Sequence, residues 1–158
     1  MKAKSGFTLV EILIVVVILG ILAAIVIPQF TNASTEAKQN SLMSDLQTVR
    51  SQIELYKVQH NDVVPAPEVG GLTWDLMTKY TDIDGATNPT KTVVFCYGPY
   101  LQQIPKNPFT DSGTITLGTA NPVTGIDGGG WYFNTATGAF NAYDDGTCTD
   151  GTTAHSAL

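Results

Sequence analysis

Residues 7–27 form an unbroken apolar run that contains one charge, Glu11. Twenty-one residues at about 1.5 Å each extend roughly 31 Å, enough to cross the hydrocarbon core of a bilayer. An acidic side chain at the centre of such a helix costs on the order of 2.5–3.5 kcal/mol to insert, and less near its end. Glu11 is therefore a charge that the run would be cheaper without. Whatever the chain does must include a use for it.

Three readings of residues 1–27 compete. A secretory signal places its apolar stretch before an Ala-x-Ala type cleavage site. Ala23-Ala24-Ile25 is a poor version of one, and the stretch is long for a signal. A plain membrane anchor accommodates the length but gains nothing from Glu11. The third reading is an anchor that is used only for a time. Lys2 and Lys4 precede the run, Gly6 stands at its junction, and Phe7, Thr8, Leu9 and Glu11 follow. This set resembles the N-terminus of a type IV prepilin. The resemblance implies that a prepilin peptidase cuts between Gly6 and Phe7 and N-methylates Phe7. Cutting would create an α-ammonium on Phe7. A carboxylate four residues on can approach that ammonium, in its own chain or in a neighbour, and an unpaired charge in an apolar bundle is strongly penalised. Glu11 and Phe7 are the expected assembly residues.

Pro28 ends the apolar run. Inside a helix proline removes a hydrogen bond and kinks the axis, and Gly20 is a second weak point, so a bent or locally melted helix is expected between Gly20 and Pro28. Beyond it Ala33, Ala37, Leu42, Met43, Leu46, Val49, Ile53 and Tyr56 recur at spacings of three, four and seven, the apolar face of an amphipathic helix. Arg50 and Glu54 are spaced to pair on its surface. The helix should end near His60-Asn61-Asp62. From Phe7 it would extend roughly 80 Å, which a domain of about 100 residues cannot bury. Its first half must find lipid or other copies of itself.

The remaining residues, 62–158, carry short elements between long loops. Leu72, Trp74, Leu76, Met77 and Tyr80 fit a short helix over 71–80, and 91–97 is either a strand or an approach loop. Residues 130–134 and 139–143 flank turn chemistry at 135–138 and read as a β-hairpin. Asp144 to Leu158 is a polar tail. Trp74, Trp131, Tyr132 and Phe133 are expected in the core, and His60 and His155 at the surface.

The stretches Tyr97-Gly98-Pro99-Tyr100-Leu101, Ile104-Pro105-Lys106-Asn107-Pro108-Phe109, Gly130-Trp131-Tyr132-Phe133-Asn134 and Gly138-Ala139-Phe140 resemble the major pseudopilins of type II secretion systems. The resemblance implies an α+β pilin fold: a long N-terminal α-helix with a transmembrane first half, packed on a small antiparallel sheet. The chain then divides into a leader over 1–6, a membrane or filament-core helix over 7–27, its amphipathic continuation over 28–61 and a globular part over 62–158. It also implies partners: copies of itself in a helical filament, prepilin peptidase, an inner-membrane assembly platform with its ATPase, minor pilins or pseudopilins, and the membrane before assembly. The globular part would be periplasmic, and the filament a periplasmic pseudopilus or a surface pilus. Such pseudopilins commonly bind calcium near the C-terminus. Asp127, Asp144, Asp145 and Asp150 are the candidate ligands for calcium, which needs six to eight oxygens, although their spacing is not that of an EF-hand. Solvated aspartates are the competing reading.

Charge and cysteine usage narrow the classes. The formal charge is −6, and loss of Lys2 and Lys4 with residues 1–6 lowers it to −8. Lys57, Lys79, Lys91 and Lys106 are the only bases beyond Tyr56 apart from the histidines, too few for a phosphate-binding patch. Nucleic acid is not expected as a main partner. Charged residues make up 14%, against roughly 25% in an average soluble domain. Cys96 and Cys148 are too far apart for a CxxC motif. In an exported protein a disulfide between them is expected, closing a loop of about 50 residues for roughly 3–4 kcal/mol; two free thiols are the alternative. The chain has no P-loop, zinc spacing, dinucleotide turn or Gly-x-Ser-x-Gly. It is expected to be no enzyme and to need no cofactor beyond the candidate calcium. A filament subunit is the leading function, as a secretion pseudopilin or as a surface pilin for adhesion, motility or DNA uptake. A membrane-anchored monomeric binding module is the outside reading, and it leaves Glu11 unexplained.

Overall fold

The computed structural model describes residues 6–66, 74–120 and 129–158. The leader residues 1–5, the first part of the expected helix over 71–80 and Asp127 lie outside them. The element order is α1 (Leu9–Gln59), α2 (Asp75–Thr78), β1 (Tyr80–Thr81), β2 (Thr87–Asn88), β3 (Thr114–Gly118), β4 (Gly130–Asn134), β5 (Phe140–Tyr143) and a final 3-10 turn (His155–Ala157). The chain divides into two units, residues 1–37 and 38–158.

The first unit is helix. Every large apolar side chain from Phe7 to Phe30 is at least 50% exposed. Full burial of such a side chain is worth roughly 1.5–3 kcal/mol, so leaving this row in water forfeits more than the 5–15 kcal/mol that holds a typical domain together. By length and composition the helix can cross a membrane. The helical assignment continues unbroken through Gly20 and Pro28, with no melted turn at either position. Beside Pro28 the Thr31 hydroxyl donates to the Ile27 carbonyl at 3.1 Å.

The second unit is built on the rest of α1. Leu42, Leu46, Val49, Ile53 and Tyr56 alternate spacings of four and three, and all are buried. That is the stripe expected from the sequence, narrowed at its start: Ala33 and Ala37 are exposed and Met43 is half exposed. Lys57 and the residues after it end the helix. Asn61 and Asp62 take left-handed backbone angles of 53° and 64°, and the Asp62 amide returns to the Lys57 carbonyl at 2.8 Å.

The stripe packs into one core with Trp74, Met77, Tyr100, Leu101, Trp131, Phe133, Phe140 and Ala142. Trp74, Phe133, Phe140 and Trp131 form a run of ring contacts with centroids 5.1–5.6 Å apart. The expected hairpin is present. β4 and β5 pair antiparallel with Trp131 opposite Ala142 and Phe133 opposite Phe140. Its turn is closed by the Asn134 amide on the Ala139 carbonyl and by the Asn134 side-chain oxygen, which accepts from the Ala136 and Thr137 amides.

The sheet departs from the expected antiparallel form. β3 pairs with β4 in parallel, Thr114 opposite Gly130 through Gly118 opposite Asn134, so the three-stranded sheet is mixed, in the order β3-β4-β5. A strand on each side buries all five residues of β4. Gly118 is required by that closeness: a Cβ there would stand 1.9 Å from the Tyr132 hydroxyl. β1 and β2 form a separate two-stranded ribbon. Residues 91–97 are a loop, tied at its end by a two-way pairing of Tyr97 with Thr81.

Arg50 does not pair with Glu54. Its Nε donates to the Phe140 carbonyl at 2.8 Å and its Nη1 to the Leu158 carbonyl at 2.7 Å, while Glu54 takes Lys57 at 3.1 Å. Carbonyls at the sheet edge and at the chain's end offer Arg50 partly buried partners, which outweigh a solvated ion pair. Because Trp131 is fully buried and donates its indole N–H to the Pro105 carbonyl, Trp131→Ala is expected to cost about 3–5 kcal/mol. A denaturant titration of the full chain in detergent micelles, followed by the fluorescence of Trp74, checks this.

Candidate functional site

Two groups of residues were expected to carry function, one at each end of the chain. At the start, Gly6 and Phe7 precede α1 and are exposed, Phe7 at 83%. A Cβ added to Gly6 would meet no described atom within 4 Å, so this fold does not itself demand glycine there. Thr8 is the residue before the helix. The Glu11 carboxylate accepts from the Thr8 amide at 2.8 Å and from the Thr8 hydroxyl at 2.7 Å, and the Thr8 hydroxyl accepts from the Glu11 amide at 3.2 Å. This is a capping box, in which a threonine and a glutamate three residues on satisfy amides that a helix start leaves unpaired. Within one uncut chain Glu11 is thus already employed. The sequence signal for this box is the Thr-x-x-Glu spacing of Thr8 and Glu11.

At the other end, the three candidate aspartates among the described residues, Asp144, Asp145 and Asp150, form no shared ligand set. Asp144 is 3% exposed, and its carboxylate is taken up by the protein: Oδ1 accepts from His155 Nδ1 at 2.7 Å and from the Gly146 amide at 2.9 Å, and Oδ2 from Asn107 Nδ2 at 2.6 Å. Asp150 accepts the Thr152 and Thr153 amides at 2.9 Å and the Thr153 hydroxyl at 2.6 Å. Asp145 is exposed. No group of three metal-ligating side chains occurs among the described residues. Asp144 and Asp150 each accept three hydrogen bonds from the protein, so their carboxylates are engaged within the fold.

The Asp144 cluster closes the tail instead. His155 and Asn107 are buried with Asp144, and Asn107 also donates to the Gly130 carbonyl at 2.9 Å. Phe109 lies against the His155 ring at 4.2 Å. Gly146 permits this approach, because a Cβ there would stand 2.4 Å from His155 Nδ1. His155, expected at the surface, is therefore a core residue. So is His60, which stacks on Tyr56 at 3.8 Å and bonds the Tyr56 carbonyl and the Thr81 hydroxyl, each at 2.9 Å.

Cys96 and Cys148, the expected disulfide pair, are both free thiols in this structure. Cys96 is exposed in the loop before Tyr97, and Cys148 is buried in the turn that pairs Thr147 with Ala154. The tail is held by the Asp144 cluster, by Arg50 on the Leu158 carbonyl, by Asn141 on the Ser156 carbonyl and by Gln39 on the Thr149 amide.

Two outcomes are expected. Asp144→Ala leaves His155 and Asn107 buried without their partner and should lower stability by about 3 kcal/mol; calcium and chelator should give one melting midpoint for the parent chain. Asp150 is held well below its ordinary 3.8, to about 2, by the Thr153 hydroxyl first and then by the Thr153 and Thr152 amides. A depressed carboxylate stabilises the fold fully above its unfolded value and loses that contribution as pH falls through the folded one. Carbon-detected NMR titration of Asp150 should therefore show the turn over 148–153 organised at pH 4 and released near pH 2.

Comparisons with known proteins bear on both ends. The model of the prokaryotic N-terminal methylation motif matches residues 1–27. The type II secretion system core protein G of Vibrio cholerae is 33% identical over 147 residues, which is 83% of this chain and 94% of that protein. Its counterpart in Aeromonas hydrophila is 32% identical over 108 residues, 68% of this chain and 69% of its own. A fimbrial protein of Pseudomonas aeruginosa is 33% identical over 87 residues, 54% of this chain and 56% of its own. No solved structure matches.

Proposed function

The chain belongs to the family of type II secretion system core protein G, and from that premise we propose that it is the major subunit of a pseudopilus, a filament that serves protein secretion. The observation that carries the reading is the first unit, a row of apolar side chains that the single chain leaves exposed, with one carboxylate at its start. Such a row is stable in lipid before assembly and against other copies of itself afterwards.

The steps follow from the chemistry of residues 6–11. A prepilin peptidase cuts the Gly6–Phe7 bond, which stands free of the fold, and methylates the new amine of Phe7. The requirement for glycine at position 6 then belongs to the enzyme, since no described neighbour would touch a side chain there. The charged amine of Phe7 competes with Thr8 for Glu11. Pairing with the amine of the same or the adjoining subunit sets the axial step at which helices stack. Gly20 and Pro28 are the positions at which α1 loosens during packing, although the lone chain is helical through both. Before assembly the subunit spans the inner membrane with residues 38–158 on the periplasmic side. An assembly platform with its ATPase extracts it, and minor pseudopilins join the same filament. The subunit's role is structural and not catalytic.

Similarity to a fimbrial protein supports a second reading, a pilin of a surface fibre. The two differ in where the filament ends, and negative-stain microscopy of cells separates them.

Glu11→Ala should be cut and methylated normally yet yield few filaments; normal filaments from that variant would remove the docking role. Gly6→Trp should accumulate uncut, which mass spectrometry of the N-terminus reads directly. Efficient cutting of it would exclude a prepilin peptidase.

A further inference from the structure

We propose that a groove on the solvent side of α1, over residues 40–54, receives the turn over residues 92–95 of a second copy of this chain. The inference rests on the filament reading and specifies a contact within it. The groove encloses about 630 Å³ and is lined by Asn40, Met43, Gln47, Arg50, Glu54 and Leu158, among others. Met43 lies in it half exposed. Arg50 is committed to two backbone carbonyls. Glu54 is the groove's open charge, with its side chain 68% exposed even while it holds Lys57. The groove lies on the same helix as the apolar run, so packing of that run against neighbouring copies brings those copies to it.

Among the described residues of 62–158, the turn carries the most exposed large apolar side chain. Val93 is 98% exposed and Val94 63%. Their exposure is imposed by the backbone. The Thr92 amide donates to the Phe95 carbonyl at 3.1 Å, the Phe95 amide donates to the Thr92 hydroxyl at 3.0 Å, and Tyr97 is pinned to Thr81 just beyond. Two β-branched side chains held outward in this way gain about 25 cal/mol for each Å² of apolar surface later covered. Exposed Lys91 stands two residues before Val93 and makes no ion pair among the described residues. Turn and groove are therefore complementary, apolar against Met43 and Leu158, and Lys91 against Glu54. The contact is heterologous, because each copy offers a turn in one direction and a groove in the other. Contacts of this kind propagate into open helical filaments.

Cysteine cross-linking tests this in the full chain, produced in its own cells with Cys96→Ser as background. Val93→Cys combined with Met43→Cys should give, on oxidation, a ladder of dimers, trimers and higher species, whereas either alone should give none. Filaments visible by negative stain but without a ladder overturn the proposal, and so do dimers from Val93→Cys alone, which would mean a turn-to-turn contact. Should the cysteine pair block assembly, charge exchange decides. Lys91→Glu should reduce filament yield by about fivefold or more, and Lys91→Glu with Glu54→Lys should recover it. Unchanged yield from Lys91→Glu overturns the contact. An unsubstituted chain that forms no filaments overturns the filament reading, and this contact with it.

Discussion

The exposed apolar row on the first part of α1 is the constraint on which everything else depends. Seventeen large apolar side chains from Phe7 to Phe30 are each left at least half exposed. The second unit buries a stripe of its own on the same helix, from Leu42 to Tyr56. The two stripes divide the labour. One makes a domain, and the other makes an obligation to find lipid or further copies. A secretion filament meets both demands in succession.

The domain half of this division was legible because its signals are local. The three-four spacing of Leu42, Leu46, Val49, Ile53 and Tyr56 repeats for five positions, and the hairpin has two aromatic runs around a turn with Gly138, whose φ is 78°. β3 escaped notice for a physical reason. Thr114-Ile115-Thr116-Leu117 does alternate, but it lies in a Thr- and Gly-rich stretch and pairs in parallel with β4, and a parallel partner leaves no turn signal beside it. The histidines were misplaced in the same way. Burial of His60 depends on Thr81, and that of His155 on Asp144 and Asn107, partners 11 to 48 residues distant that no short window contains.

The tail shows how hydrogen bonds among the described residues hold a polar, glycine-rich end. A disulfide would act chiefly by limiting the unfolded chain. The cluster of Asn107, Asp144 and His155 acts on the folded state, by satisfying buried groups that would otherwise count against it. Each of its members comes from a different part of the chain: the loop after Leu101, the end of β5 and the final turn. Together they join the last residues to the Gly130 end of the sheet, close to where β3 and β5 both meet β4. Both oxygens of Asp144 are engaged by this cluster.

Glu11 acquires its meaning from the two partners open to it in turn. Held by Thr8, it completes a capping box of a kind worth about 1 kcal/mol at a helix start. That is enough to keep a costly charge occupied while the chain waits in the membrane. Cleavage before Phe7, as proposed, would add an ammonium one residue before Thr8 and four before Glu11. In a dry bundle the attraction between two full unlike charges would exceed the charge-assisted bonds from Thr8, so in the docking role proposed for Glu11 the carboxylate would pass from Thr8 to the amine. Thr8 would lose its carboxylate acceptor, and the proposed filament would gain a charge pair that only a correctly placed neighbour, or the cut chain itself, can complete. The uncut chain has no such amine to offer. A subunit that escaped processing would therefore keep Glu11 on Thr8 and bring an uncompensated leader into the bundle, and the same residue that favours assembly after cleavage would do nothing to promote it before.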